Sequence, residues 1–357
     1  MSRSLIGGAL ALLLAGCLPS TQRRNDRSVP ASDSASVAFA ETVASDTLAL
    51  IWEAGAPTDG PMPYPTTIAW VRPDSGGAAR LVVAETQEAS LRLFTPDGQY
   101  AGRVETGGGP ESFPYLAGVR RDSAVMLERG TNRLAFVPLR GGPVRRIPAP
   151  AGATAALATD SSLYVRTGGG AEEEPAFLVR LDERGRPVSR HAFSGQPWRA
   201  SGFLREWGGT VVALSGYRPV LDRLGRGARP GSRLDTLALR GFSSPQLPRS
   251  AQFMRGDVDQ PPLLTSSAAA HNGDLYLLNL RDEHVRLDVY GPQGTLQRVL
   301  VSPGPWSTLA YVPVDVAIRS VGGTIEFAVL MQRADGLIQT ADSRVVLYRH
   351  TPAGPAR

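Results

Sequence analysis

The feature that most constrains the fold of this chain is an internal repeat of short β-type runs between residues 47 and 350. The clearest unit has four short β-type runs, at 267–270, 274–279, 284–290 and 295–301. Six such units of roughly 50 residues, divided by Gly, Pro, Asp and Asn turns, begin near residues 67, 116, 155, 203, 267 and 314. A period of about 40–50 residues is typical of four-stranded propeller blades. The sequence therefore predicts an all-β fold, a six-bladed β-propeller of four-stranded antiparallel blades.

The sixth unit contains only three β-type runs before the chain ends. Thr47–Glu53, which precedes the first unit, alternates like a strand and has no unit of its own. An open ring would leave unpaired backbone edges, and these invite aggregation. We therefore expect this N-terminal strand to become the outer strand of the sixth blade and to close the ring.

Two of the units carry motifs that resemble a known family. Arg92–Tyr100 is followed by the glycine-rich link Gly107–Phe113, and Val289–Gly294 repeats part of this pattern. The pattern resembles the six-bladed β-propeller superfamily with NHL-like or TolB-like repeats. The resemblance covers most of residues 47–350 and implies the propeller fold, but it assigns no activity.

The N-terminus carries the pattern of an export signal. Met1–Arg3 is short and basic, Leu5–Leu14 is apolar, and Leu14-Ala15-Gly16-Cys17 contains the only cysteine of the chain. This segment resembles the lipobox of bacterial lipoproteins. The resemblance implies removal of residues 1–16, lipidation of Cys17 and anchoring of the protein in a membrane by its lipid. The alternative is plain secretion with an incidental thiol.

The residue after Cys17 bears on the membrane in which the protein is retained. In the lipoproteins that this segment resembles, an acidic residue there retains the protein in the inner membrane, and here the residue is Leu18. We therefore expect the outer membrane, on its periplasmic side. Residues 17–45 are rich in Ser, Ala, Asp, Arg and Thr, which predicts a disordered tether, and residues 46–357 form the propeller.

The basic composition does not indicate a nucleic-acid-binding protein. All 38 basic residues are arginine, and they are scattered among 33 acidic residues with no basic run longer than two. An electrostatic footprint for nucleic acid requires clustering of the charges. Codon bias in a GC-rich genome explains the arginines equally well, so no nucleic-acid partner is predicted.

No motif predicts catalysis, a metal or a cofactor. Asp74–Gly77 resembles the nucleophile loop of trypsin-like proteases, but it lies in a turn and lacks a matching His–Asp pair. The four histidines fall in or beside different strands, whereas a zinc site needs at least three converging ligands. We therefore predict no catalytic residue, no metal ligand and no cofactor.

The propeller topology nevertheless indicates where a ligand would bind. The loop face is the face that carries the connections between blades and the loops between the second and third strands, and such loops usually carry function. The binding residues predicted there are aromatic, arginine or polar: Tyr115, Asn132, Trp198, Arg199, Tyr217, Arg218, Arg281 and Trp306. Aromatic residues and arginine are enriched in interface hot spots. An alternative is that Tyr115 and Trp198 pack between blades.

These patterns favour a monomeric, non-catalytic binding protein whose partner is a protein or a periplasmic small molecule. The alternative is a metal-dependent propeller hydrolase or lyase of the lactonase type, which needs carboxylates on the innermost strands. Those strands supply a poor metal shell: Trp70, Arg120, Arg205, Glu206, Asp315 and Arg319. A third possibility is a passive envelope component, which the lack of a pocket at the channel mouth would favour. Residues 241–264 form a long apolar insertion that we expect to pack on the ring as a flap.

Overall fold

The computed structural model shows six antiparallel sheets arranged as the blades of a propeller. It describes residues 34–55, 62–72, 78–168, 175–193, 202–260, 262–281, 284–304, 311–333 and 343–352. Consecutive strands of each blade are hydrogen-bonded neighbours, and the first strands of successive blades contact one another in a closed ring. The predicted six-bladed propeller of four-stranded blades is therefore confirmed.

The strands follow one another from the axis to the rim within each blade. Blade one contains β3 (Pro65–Val71), β4 (Arg80–Glu85), β5 (Ser90–Phe94) and β6 (Tyr100–Glu105). Blade two contains β7 (Pro114–Arg120), β8 (Ser123–Glu128), β9 (Arg133–Pro138) and β10 (Arg145–Pro148). Blade three contains β11 (Ala153–Ala158), β12 (Leu163–Thr167), β13 (Phe177–Leu181) and β14 (Pro187–Ala192).

The second half of the ring has the same order. Blade four contains β15 (Gly202–Trp207), β16 (Thr210–Ser215), β17 (Val220–Arg223) and β18 (Asp235–Ala238). Blade five contains β19 (Thr265–His271), β20 (Asp274–Asn279), β21 (Arg286–Tyr290) and β22 (Leu296–Val301). Blade six contains β23 (Tyr311–Val321), β24 (Thr324–Arg333), β25 (Arg344–His350) and, as its outer strand, β2 (Ala49–Ala54).

The N-terminal strand closes the ring as the sequence predicts. β2 pairs antiparallel with β25, with Ala49 opposite Arg349 and Ala54 opposite Val345. The indole nitrogen of Trp52 also donates to the carbonyl oxygen of Pro96 in blade one at 3.0 Å. The closing strand therefore pairs with the edge of β25 in the last blade and also contacts the first blade.

The segment just before the closing strand differs from the predicted disordered tether. Residues Ser34–Thr42 form helix α1, and β1 (Ser45–Thr47) adds to blade five in parallel with β22. Phe39 and Ala40 pack against the core between blades four and five, and the amide of Gly241 donates to the Ser36 hydroxyl at 2.7 Å. The segment is ordered because its few apolar side chains are buried by the ring. Residues 17–33, including Cys17, lie outside the described residues.

The hydrophobic core is divided among the six interfaces between blades. Separate clusters of buried side chains lie between each pair of neighbouring blades. The second strands are buried on both faces, which explains why β4, β8 and β20 are nearly continuous apolar runs. Within the described part of the chain, no helix is long and apolar enough to cross a membrane.

The insertion at residues 241–264 contains a short helix. Helix α2 (Leu247–Arg255) ends at Gly256, whose φ of 85° is the left-handed conformation that favours glycine at a helix end. Phe242 and Leu247 are buried in the core between blades four and five, and Phe253 packs against Tyr217. The insertion therefore packs on the ring, as the sequence analysis predicts for residues 241–264.

Candidate functional site

A cavity of about 300 Å³ lies on the propeller axis at its loop face. All six blades contribute to its wall, mainly through the beginnings of the first strands and the ends of the second strands. The side chains with polar or aromatic groups include Thr67, Tyr115, Arg129, Arg166, Phe203, Arg205, Tyr217, Ser267 and Asp315. This volume is at the lower end of the range for small-molecule sites.

Irregularities in the first strands help to place these side chains. Five of the six first strands show a register shift where they enter the cavity, at Thr66, Ala117, Thr154, Ser266 and Val314. A β-bulge bends its strand locally and changes the direction of the neighbouring side chains. The residues that follow the bulges in blades five and six, Ser267 and Asp315, line the cavity.

Asp315 is the centre of a hydrogen-bond network that joins four blades. It is 3% exposed, and its Oδ2 accepts from the backbone amide of Ile68 in blade one at 2.8 Å. Its Oδ1 accepts from Arg205 Nη2 of blade four at 2.9 Å and from the Ser267 hydroxyl of blade five. Both carboxylate oxygens therefore accept hydrogen bonds that connect different blades at this end of the axis.

A second charged group lies on the side of the cavity formed by blades two to four. Arg166 is 2% exposed, and its Nε and Nη2 donate to Thr154 Oγ1 at 3.0 Å and to the Gly202 carbonyl at 2.9 Å. The guanidinium carbon of Arg129 lies 3.6 Å from the centre of the Tyr115 ring. Within the described ranges, neither arginine forms an ion pair with a carboxylate.

The surroundings of Arg166 disfavour its charge. Burial and the nearby cation of Arg129 lower the pKa of Arg166 to about 9, and burial also lowers the pKa of Arg129. A guanidinium keeps its proton under physiological conditions. The lowered pKa values therefore indicate two neighbouring positive charges with too little compensation from the described residues.

Gly202, whose carbonyl accepts from Arg166, lies very close to the neighbouring strand β16. Its φ is 150°, and a Cβ atom built at this position would lie only 1.9 Å from the Leu214 carbonyl oxygen. No larger residue fits that space without moving the backbone. The glycine thus allows β15 to lie close to β16 beside the carbonyl that accepts from Arg166.

The predicted binding residues divide into three groups. Tyr115 and Tyr217 line the cavity, and burial raises the pKa of the Tyr217 hydroxyl. Asn132, Arg218 and Arg281 do not line it, although they lie on loops of the same face. Trp198, Arg199 and Trp306 lie outside the described residues.

The structure shows backbone hydrogen bonds for two of the three residues that do not line the cavity, and burial for the third. Asn132 is an exposed turn residue with a φ of 51°, and its carbonyl accepts from the Ala149 amide at 2.9 Å. Arg218 is buried, with 1% of its surface exposed. Arg281 Nη2 donates to the Ser243 carbonyl at 2.5 Å and so holds the insertion against blade five.

Sequence reasoning missed Arg129 and Arg166. The available signal was a charged residue at or just after the end of a second strand that is otherwise apolar. Arg205 and Asp315 were considered only as ligands for a metal, whereas they form an ion pair with each other. Among the described residues, no group of three His, Cys, Asp or Glu side chains lies close enough together to hold a metal ion.

Solved structures with the same fold come from several kinds of protein. No family model and no curated protein sequence matches this chain. A DUF4221 family member from Bacteroides vulgatus is 11% identical, with a TM-score of 0.53 over 85% of this chain and 98% of its own. Streptogramin B lyase is 11% identical, with a TM-score of 0.51 over 84% of this chain and 97% of its own.

A third similar structure is regucalcin from Agrobacterium tumefaciens, described as a calcium-binding protein. It is 12% identical, with a TM-score of 0.50 over 85% of this chain and 94% of its own. At these identities the likeness concerns the fold alone. The chain is a six-bladed β-propeller with a cavity of ligand size at the loop-face end of its axis.

Proposed function

We propose that this protein is a lipid-anchored binding protein of the bacterial envelope, and that its propeller binds a small molecule in the central cavity. The cavity is the observation that supports this proposal most. Its wall is built from all six blades, so its shape is fixed by the whole ring. A concave site of about 300 Å³ suits a small molecule better than the flat surface of a protein partner. No catalytic role is assigned to any residue.

The choice among the earlier alternatives follows from the same cavity. A passive envelope component needs no pocket at the channel mouth, and this propeller has one. A metal-dependent hydrolase of the lactonase type would need a free carboxylate on the axis. Asp315, the one carboxylate that the described residues bring to the cavity wall, is already bonded to Arg205, Ser267 and Ile68. Binding without catalysis is therefore the better supported function.

The anchor is proposed from the sequence Leu14-Ala15-Gly16-Cys17. Two or more acyl chains on Cys17 and its amino group would give stable membrane attachment, because each buried methylene contributes about 0.8 kcal/mol. Helix α1 and β1 then fix residues 34–47 to blade five. The proposed anchor is thus joined to the rim of the propeller, on the side of blades four and five.

Replacing Cys17 with serine is expected to abolish membrane attachment. In a Gram-negative host, the wild-type chain should incorporate labelled palmitate and should require detergent for its release from the outer-membrane fraction. Cys17→Ser should incorporate no label. Leu18→Asp, a control that keeps the cysteine, should still be labelled but should move to the inner-membrane fraction of a density gradient. Release of the unlabelled wild-type chain without detergent would contradict the anchor.

A small aromatic probe is expected to raise the melting temperature of the full chain in dodecyl maltoside. Benzoate, benzamide and benzylammonium share one ring and differ in charge. At ten times its Kd, a ligand adds about 1.4 kcal/mol to stability, or about 2 °C for a propeller of this size. Ser266→Phe, which fills the cavity from blade five, should remove the shift.

Two results would contradict this function. One is that none of the three probes raises the melting temperature. The other is a shift that persists in Ser266→Phe, because binding would then occur elsewhere. A shift with calcium chloride that EDTA reverses would instead support the metal-dependent alternative. Leu50→Phe, on an exposed residue of β2, controls for the added phenyl ring.

A further inference from the structure

Resting on the proposed function, we infer that the ligand of the central cavity is an organic carboxylate, and that its carboxyl group binds between Arg129 and Arg166. The side chain of Arg166 enters the cavity wall from the end of β12 and is held by Thr154 and Gly202. Among the described residues, its Nη1 is buried and has no hydrogen-bond partner. The Arg166 guanidinium is held in place and keeps one N–H group that can donate a hydrogen bond to a ligand.

Arg129 brings a second cation to the same side of the cavity. It follows β8 in the neighbouring blade and lies over the Tyr115 ring, which fixes the plane of the guanidinium. Its buried Nε has no partner among the residues that the structure describes. Since Arg129 is close enough to disfavour the charge of Arg166, an anion placed between them would compensate both charges.

Asp315, the carboxylate that the described part of the chain places in the cavity wall, is not available for this role. Asp315 accepts hydrogen bonds on both oxygens, from Arg205, Ser267 and Ile68. Arg205 is therefore neutralised, whereas Arg129 and Arg166 are not neutralised by any described carboxylate. Burying a charge without a partner is costly, so a counter-ion from outside the chain would be bound strongly here.

The shape and the chemistry of the cavity favour a carboxylate on an apolar body. A guanidinium binds the two oxygens of a carboxylate in a planar, bidentate arrangement. The Tyr217 hydroxyl, whose raised pKa keeps it protonated, provides a further donor nearby. The rest of the wall includes Leu116, Leu127, Phe203, Leu263 and Val314, which suit a hydrocarbon chain or ring and not a free phosphate ion.

Isothermal titration calorimetry of the full chain in dodecyl maltoside tests the inference with three probes at constant ionic strength. Benzoate should bind at least ten times more tightly than its neutral counterpart benzamide, and more tightly than inorganic phosphate. Arg166→Gln should weaken benzoate by about 10- to 100-fold, the range for a charge-assisted hydrogen bond, and should leave benzamide unchanged. Arg129→Gln should act in the same direction and provides a second variant if Arg166→Gln does not fold.

Arg145→Gln is the matched control. Arg145 is also in blade two and also lies over an aromatic ring, 3.8 Å from the centre of Phe136, but it does not line the cavity. This variant should bind benzoate like the wild type. Equal affinities for benzoate and benzamide, with binding lost in Ser266→Phe, would overturn the carboxylate inference and leave the small-molecule function standing. Tighter binding of phosphate would also overturn it. Failure of every probe would contradict the proposed function itself.

Discussion

Replacing Leu48 with alanine is expected to lower the free energy of unfolding by about 2–5 kcal/mol, as is typical of Leu-to-Ala changes in a core. Leu48 lies between β1 and β2 and is only 1% exposed. Its side chain belongs to the core between blades five and six, together with Leu287 and Val346. Its amide donates to the Val301 carbonyl at 2.8 Å, so the side chain cannot easily move to fill a cavity.

Leu50 provides a control of the same residue type, two positions away. It is 49% exposed on the outer strand of blade six, and Leu50→Ala should change stability by less than about 0.5 kcal/mol. Denaturant unfolding followed by circular dichroism measures both variants. Equal losses for Leu48→Ala and Leu50→Ala would mean that burial of the N-terminal segment does not determine the stability of the closed ring.

The blades and the closing strand could be predicted because their signals are local. A short apolar run next to a turn, such as Asp274–Asn279 after Asn272-Gly273, indicates a strand without knowledge of distant residues. The unpaired run Thr47–Glu53 could be placed because the sixth unit lacked one strand. Helix α1 could not be predicted in this way. Its apolar residues are too few to form a core of their own, and they pack against the core between blades four and five.

The candidate site could be predicted only in part. Tyr115 and Tyr217 were found from their position on the loop face, where aromatic residues suggest binding. Arg129 and Arg166 carried no comparable signal, because an arginine at the end of a strand usually points to solvent. Only closure of the ring brings the ends of β8 and β12 to the same cavity and buries these two arginines there.

Asp315→Ala is expected to lower the free energy of unfolding by about 3–5 kcal/mol, the usual cost of removing one partner of a buried ion pair. The change removes the acceptor for Arg205, Ser267 and the Ile68 amide in one step. Because these donors come from blades four, five and one, the loss affects contacts between blades and not the inside of one blade. Asp315→Asn retains one acceptor oxygen and should lose less stability.

Glu53→Ala is the control for removing a carboxylate from an ion pair that is not buried. Glu53 pairs with Arg344 in blade six, and the two side chains are 30% and 37% exposed. Exposed pairs contribute about 0–1 kcal/mol, so the control should be nearly as stable as the wild type in denaturant. A similar small loss in Asp315→Ala would show that water in the cavity replaces the carboxylate. The difference in stability between the two variants therefore measures how much the buried carboxylate of Asp315 contributes to the contacts between blades.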